Sequence, residues 1–184
     1  MKGAGCQTII FGIESGSKKI LSSMRKNMDL DKVKETLFQC KKLGINTWTN
    51  FIIGMPEETR GTLQETVRFC KDVEISSPIV FFYPHPYPKT ELYHQAKELG
   101  KIVDEEKHIL KLGPLSRLVV NLTSFSDEGL QRLKLSTQKE IYLDFCKKHK
   151  SWYLKYFYRL FKSKLIDLFN IIFKAQRASI RPWE

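Results

Sequence analysis

Three short stretches place glycine, proline and polar residues directly behind apolar runs: GIESGS (Gly12–Ser17), IIGMPEE (Ile52–Glu58) and FYPHPYPKT (Phe82–Thr90). Their residue types suit the non-covalent capture of a polar organic ligand. Glu14 offers a carboxylate acceptor and Ser15 a hydroxyl, both suited to sugar hydroxyls or an amine. Gly54 lets a backbone come close to a ligand, and a free amide or carbonyl at a strand end can read the edge of a heterocyclic base. A carboxylate just behind a buried strand also needs a partner, which a ligand can supply. Each stretch alone is what an ordinary tight turn requires. Three of them on one rim point to a site.

The other reactive residue types do not cluster. Cys6, Cys40, Cys70 and Cys146 lie thirty or more residues apart, with no CxxC-type spacing for zinc or a cluster. They read as small buried apolar residues in a reducing compartment. His85, His94, His108 and His149 show no ligand spacing either. His94 and His108 read as helix-surface residues, whereas His85 sits on the rim, where a proton-transfer or substrate role is open. The sequence alone assigns no catalytic residue and no metal ligand.

The elements that must position the rim follow from periodicity. Thr8–Ile13, Ile45–Gly54 and Ile79–Tyr83 are continuous apolar, β-branched or aromatic runs, and read as buried strands. Between them lie a brief helix after Ser17, a helix from Asp29 to a stop at Gly44, and a helix capped at or near Thr59. Another helix ends at Gly100. Buried strands alternating with helices imply right-handed crossovers and a parallel sheet, so the fold class is α/β. Ligands in such folds gather at the C-terminal ends of the strands, where all three rim stretches fall. Past Lys101 the pattern changes. RLVVNLTS reads as a strand or an extended segment, and Ser126 opens a helix of roughly Asp127 to Lys147. A soft boundary near residue 103 divides the chain into 1–103 and 104–184.

At 184 residues, 42% hydrophobic and 28% charged, the chain is globular in composition. It holds no run of about 18 apolar residues and no signal-type N-terminus, which gives the expectation of a cytoplasmic protein. The net charge of +11 is uneven: residues 1–103 carry 15 basic and 11 acidic side chains, residues 147–184 carry 10 and 2. Residues 152–174 read as a basic, aromatic amphipathic helix. Three roles stand open for it: packing on the protein's own core, peripheral attachment to an anionic membrane surface, and nucleic-acid binding, which charge permits but no recognition motif supports.

The run GIESGSKKILSSMRKNMDLDKVKETLFQCKKLGINTWTNFIIGMPEETRGTLQETVRFCKDV resembles the second half of the radical SAM (β/α) barrel, in the group often carrying an N-terminal cobalamin-binding domain. GIESGS is similar to that family's fourth strand and turn. NFIIGMPEE is similar to its fifth-strand motif GxIxGxxE, with Ile52, Gly54 and Glu57 matching and Asn50 in place of the first glycine. PHPYPKTELY resembles the loop written PYPGTPLY, with Lys89 for glycine and Glu91 for proline.

The resemblance implies a partial (β/α) barrel of about three parallel strands with a helical C-terminal extension. It implies that Glu14 and Ser15 face the ribose or methionine end of S-adenosylmethionine, that Ile52 and Gly54 line the adenine, and that Tyr83 and Pro84 complete the pocket. Glu57 is expected to stabilise the following helix N-terminus. The family's 4Fe-4S cluster is held by a CxxxCxxC loop that this sequence lacks, so the chain is expected to be catalytically incomplete alone. Neither the cluster nor cobalamin has ligands here. Half a barrel leaves two open sheet edges, and the implied partner is an N-terminal half or a chain supplying the cluster. A non-catalytic remnant or accessory subunit is the alternative.

Overall fold

The computed structural model describes residues 1–75 and 79–150. The basic aromatic stretch 152–174 lies outside the described residues. Strands β1 (Thr8–Glu14), β2 (Asn46–Ile52) and β3 (Ile79–Phe82) form one parallel sheet in the order β1-β2-β3. The helices are α1 (Lys18–Ser23), α2 (Leu30–Lys42), α3 (Arg60–Asp72), α4 (Glu91–Glu98), α5 (Glu105–Lys111) and α6 (Asp127–Lys148). The α/β class and the three parallel strands are those expected from the sequence. Met1–Tyr142 forms one compact unit, which holds the whole sheet.

Helix starts follow local chemistry. The Asp29 carboxylate accepts from the Asp31 and Lys32 amides at the head of α2, and Gly44 ends that helix with φ +65°. Thr59 and Thr62 form a reciprocal capping box at α3. Ser17 stands before α1 without capping it; its own amide donates to Ser15 Oγ at 3.1 Å instead. α5, capped by Asp104, was not anticipated from the sequence. RLVVNLTS joins no sheet: the Asn121 side chain accepts from the Thr123 amide and donates to the Phe125 carbonyl, which folds the segment into turns.

Alternation along the strands separates two faces. Ile13, Phe51, Ile53 and Phe81 point to the helices and are almost fully buried against Leu37, Leu63, Val67, Phe69 and Cys70. The Phe51 and Phe81 rings stack with centroids 5.3 Å apart. On the opposite face Ile10 pairs in register with Trp48, and both stay about half exposed, at 60% and 48%.

The two sheet edges differ. In parallel pairing, alternate residues bond to each neighbour. The Asn46 amide bonds to the Gln7 carbonyl and the Ile53 amide to the Phe82 carbonyl. The outward groups of β3 are therefore those of the odd residues, and those of β1 belong to Thr8, Ile10 and Gly12. The β3 side is covered by the chain itself: Gln138 Nε2 donates to the Ile79 carbonyl at 3.0 Å, and the Tyr83 amide donates to the Leu115 carbonyl at 2.8 Å. On β1 the Lys26 ammonium covers the Gly12 carbonyl, while Ile10 keeps its outward amide and carbonyl without a partner among the described residues. Phe81, between Ile79 and Tyr83, likewise has no partner for its outward amide and carbonyl among the described residues, although its side chain is buried, so the β3 edge is covered at its two ends and the β1 edge is the more open of the two.

Candidate cofactor and substrate cavity

A cavity of about 700 Å³ lies on the uncovered face, at the C-terminal ends of all three strands. Glu14, Ile52, Tyr83 and Pro84 all line it. The structure therefore brings together four of the six residues singled out from sequence. Asn50, standing where the motif has glycine, also lines the wall, so a side chain amide enters the site.

The other two sit behind the wall. Ser15 is 2% exposed, and its hydroxyl bonds to Thr66 Oγ1 at 3.2 Å and receives the Ser17 amide. It fixes the β1–α1 turn against α3. Gly16 in the same turn has no room for a side chain: a Cβ there would lie 2.7 Å from Thr66 Cα and Phe69 Cβ. Gly54 adopts φ +104°, a conformation only glycine takes readily, packed beneath Tyr83, Pro84 and Leu130.

Glu14 is held unusually firmly. It lies at a register shift of β1 and has φ +69°, an uncommon backbone state for a non-glycine residue that concentrates at functional sites. Lys26 Nζ reaches Glu14 Oε1 at 3.0 Å and the Gly12 carbonyl at 2.6 Å. Gly12 makes room for this arrangement, since a Cβ there would meet Glu14 Oε1 at 2.7 Å. Lys26 thus fixes one carboxylate oxygen, and the other has no hydrogen-bond partner among the described residues. Arg25 and Glu91 also pair at the cavity, so its charges are matched within the protein.

The far side of the cavity is built from β3, α4 and the segment that follows α5. The His85 ring lines it and is 6% exposed. Its Nε2 lies 3.0 Å from the Arg117 carbonyl, which can only accept, so Nε2 carries the hydrogen. Leu115 contributes an apolar side chain. Lys134 lies 4.1 Å over the Tyr83 ring and donates to the Ser116 carbonyl. Burial lowers the Lys134 pKa and raises that of the Tyr83 phenol. His108, read from sequence as a surface residue, is instead 5% exposed with Nε2 2.7 Å from the Pro86 carbonyl. Its ring lies 5.9 Å from that of Tyr93, which packs with Ala96, Ile102 and Leu122 in a small apolar cluster.

Sequence reasoning missed Lys26, Leu115 and Glu58. Glu57 pairs with Lys19 at 3.3 Å on the surface. Glu58 beside it is 3% exposed and takes hydrogen bonds from the Thr62 hydroxyl at 2.5 Å and the Gly54 amide. Burial raises its pKa to about 7, against the lowering effect of those two donors.

A family model described as the radical SAM superfamily matches residues 1–70. Over these residues the chain is similar to that superfamily. It is 38% identical over 96 residues to an uncharacterized methyltransferase of Pyrococcus horikoshii, covering 52% of this chain and 21% of that protein. It is 32% identical over 105 residues to the bacteriochlorophyllide d C-8(2)-methyltransferase of Chlorobaculum tepidum, covering 56% and 23%. A tRNA-2-methylthio-N(6)-dimethylallyladenosine synthase of Clostridium botulinum is 34% identical over 140 residues, covering 67% and 31%. The chain therefore spans between a fifth and a third of the length of these relatives.

The radical SAM match implies S-adenosylmethionine and a 4Fe-4S cluster, and the two fare differently here. The cavity's size, its apolar wall at Ile52 and Tyr83 and the acceptor at Glu14 fit an adenosyl ligand. The cluster does not fit. No three His, Cys, Asp or Glu side chains gather as a metal site among the described residues. Cys40, Cys70 and Cys146 are buried, and burial pushes the Cys70 thiol far up, away from the thiolate a cluster needs. Among the described residues, no helix is long and apolar enough to cross a membrane.

Proposed function

We propose that this chain is the C-terminal portion of a radical SAM enzyme and contributes part of the S-adenosylmethionine pocket, with cluster thiolates coming from another stretch of polypeptide. The observation that carries this reading is the convergence of Glu14, Ile52, Tyr83 and Pro84 on one cavity, at strand ends in a chain with a radical SAM match. When bound, the cofactor supplies an adenosyl group for reductive cleavage at its sulfonium. The residues here bind and orient. Glu14, held by Lys26, accepts from ribose hydroxyls or the ammonium group. Ile52 and the Tyr83–Pro84 wall present flat apolar surface to the adenine. Residues 1–103 form the barrel part in this reading and 104–184 the extension, from which Leu115 reaches the substrate side of the cavity.

No residue is assigned to cobalamin. The second reading is a non-catalytic accessory chain, favoured by the absence of clustered metal ligands among the described residues. Equilibrium dialysis with radiolabelled S-adenosylmethionine tests the first. Saturable binding that Ile52→Trp and Glu14→Gln each weaken supports it; no saturable binding at millimolar ligand sinks it. Anaerobic iron–sulfide reconstitution of the chain alone is expected to yield no 4Fe-4S spectrum, and a stable cluster would overturn the claim of incompleteness.

A further inference from the structure

Beyond the residues given to the adenosyl group, the cavity is walled by Tyr87, Leu92 and Leu115, with the Gln95 amide among them. Leu92 and Gln95 stand three positions apart in α4 and so share one face of that helix. Leu115 comes from elsewhere, in the segment between α5 and α6. The charged groups of the cavity are already matched, Glu14 with Lys26 and Arg25 with Glu91. What this side offers a ligand is therefore mostly apolar surface: Tyr87 is 47% exposed and Leu115 41%.

A leucine at that point runs against its local structure. The Arg117 amide donates to the Pro114 carbonyl at 2.9 Å, which closes a turn with Leu115 and Ser116 at its tip. Such tips favour glycine, proline, asparagine, aspartate and serine. This one is also pinned through three successive carbonyls. The Tyr83 amide donates to the Leu115 carbonyl at 2.8 Å, the Lys134 ammonium to that of Ser116 at 3.2 Å, and His85 Nε2 to that of Arg117 at 3.0 Å. Tyr83 and His85 themselves line the cavity and are almost fully buried. The turn therefore cannot swing outward without breaking bonds to the cavity's own wall. An exposed leucine by itself means little, and Leu110 on α5, outside the cavity, is an ordinary case. Leu115 differs in being held against a space that a ligand can fill.

We propose that Leu115 is a specificity-determining residue: its turn forms the substrate wall of the cavity, and the substrate presents an uncharged apolar group, aliphatic or aromatic, to Leu115, Leu92 and Tyr87. This deepens, and rests on, the reading of the same cavity as a site for S-adenosylmethionine. A charged group on the substrate would find no free counter-charge here, since the four charged side chains of the cavity pair with one another. An apolar group instead covers side chains that otherwise face water.

The test titrates N-phenyl-1-naphthylamine, an uncharged probe whose fluorescence rises in apolar surroundings, into the full chain. Saturable binding is expected, weakened about tenfold or more by Leu115→Asp, which puts a charge on the wall. Leu115→Met keeps an apolar side chain of similar volume and should change the affinity less than about twofold. Leu110→Asp should also change it less than about twofold, because Leu110 is 78% exposed on α5 and lines no part of the cavity. Circular dichroism checks that all the variants are folded. Absence of saturable binding overturns the proposal. So does binding indifferent to Leu115→Asp; its loss with Leu43→Lys instead would put the probe in the apolar hollow beside α2. S-adenosylmethionine binding is measured on the same samples. Probe binding that depends on Leu115, in a chain that takes no S-adenosylmethionine, sinks the cofactor reading and leaves the apolar wall as a ligand site; cofactor binding without probe binding does the reverse.

Discussion

Replacing Glu58 by glutamine should make the protein more stable above neutral pH and leave it little changed in mild acid. The carboxyl is 3% exposed, and burial raises its pKa from 4.5 to about 7, with Glu65 adding a smaller push in the same direction. Between those two values the folded chain holds a proton that the unfolded chain has released. Stability therefore falls as pH rises through this window, and the loss is complete above pH 7. At about 1.36 kcal/mol per pKa unit, the shift is worth roughly 3 kcal/mol. Glutamine keeps an acceptor for the Gly54 amide and brings a donor to Thr62 Oγ1, but it cannot ionise. Urea unfolding at pH 5 and pH 8, followed by circular dichroism and tryptophan fluorescence, measures the effect. The native chain should lose about 2–3 kcal/mol between the two pH values, and Glu58→Gln should lose less by that amount. Parallel pH profiles for the two proteins, or a variant less stable at pH 8, would refute the reasoning.

Three further substitutions probe the turn, the cavity and a helix start. Gly16→Ala drives a Cβ to 2.7 Å from Thr66 Cα, a backbone atom that cannot swing away, and should cost about 2–3 kcal/mol in chemical denaturation. Lys26→Met releases Glu14 Oε1 and the Gly12 carbonyl; it should weaken S-adenosylmethionine binding by roughly tenfold in equilibrium dialysis while shifting the melting temperature little. Asp29→Ala removes the acceptor for two amides at the head of α2 and should cost about 1 kcal/mol in urea unfolding.

Much of the fold could be read from local pattern because its determinants are local. Thr8–Ile13 and Ile45–Gly54 are rich in β-branched, aliphatic and aromatic residues, which marks them as strands, whereas the burial expected on both faces holds on the helix-bearing face only. Asp29, Gly44 and Thr59 mark helix ends through contacts within four residues. The rim was legible for the same reason, since Glu14, Ile52, Tyr83 and Pro84 each sit where an apolar run gives way to turn residues. What stayed hidden depends on partners distant in sequence. Nothing in SSMRKN distinguishes Lys26 from its charged neighbour until the chain brings it under Glu14. Glu57 and Glu58 are equivalent in a string, and only the packing of the Gly54 turn on α3 exposes one and buries the other. The two ends of the β3 edge are covered by Gln138 and Leu115, more than thirty residues away, so among the described residues the two edges differ where strand counting alone makes them alike.

Under the proposed function, the cavity at the strand ends receives S-adenosylmethionine. An amide nuclear magnetic resonance titration of the isotopically labelled chain tests it most directly, because it locates the ligand as well as detecting it. The expected result is saturable shifts at Gly12, Glu14, Ile52, Tyr83 and His85, with the amides of α5 unmoved. Shifts confined to other surfaces, or none at millimolar ligand in a folded chain, would contradict it.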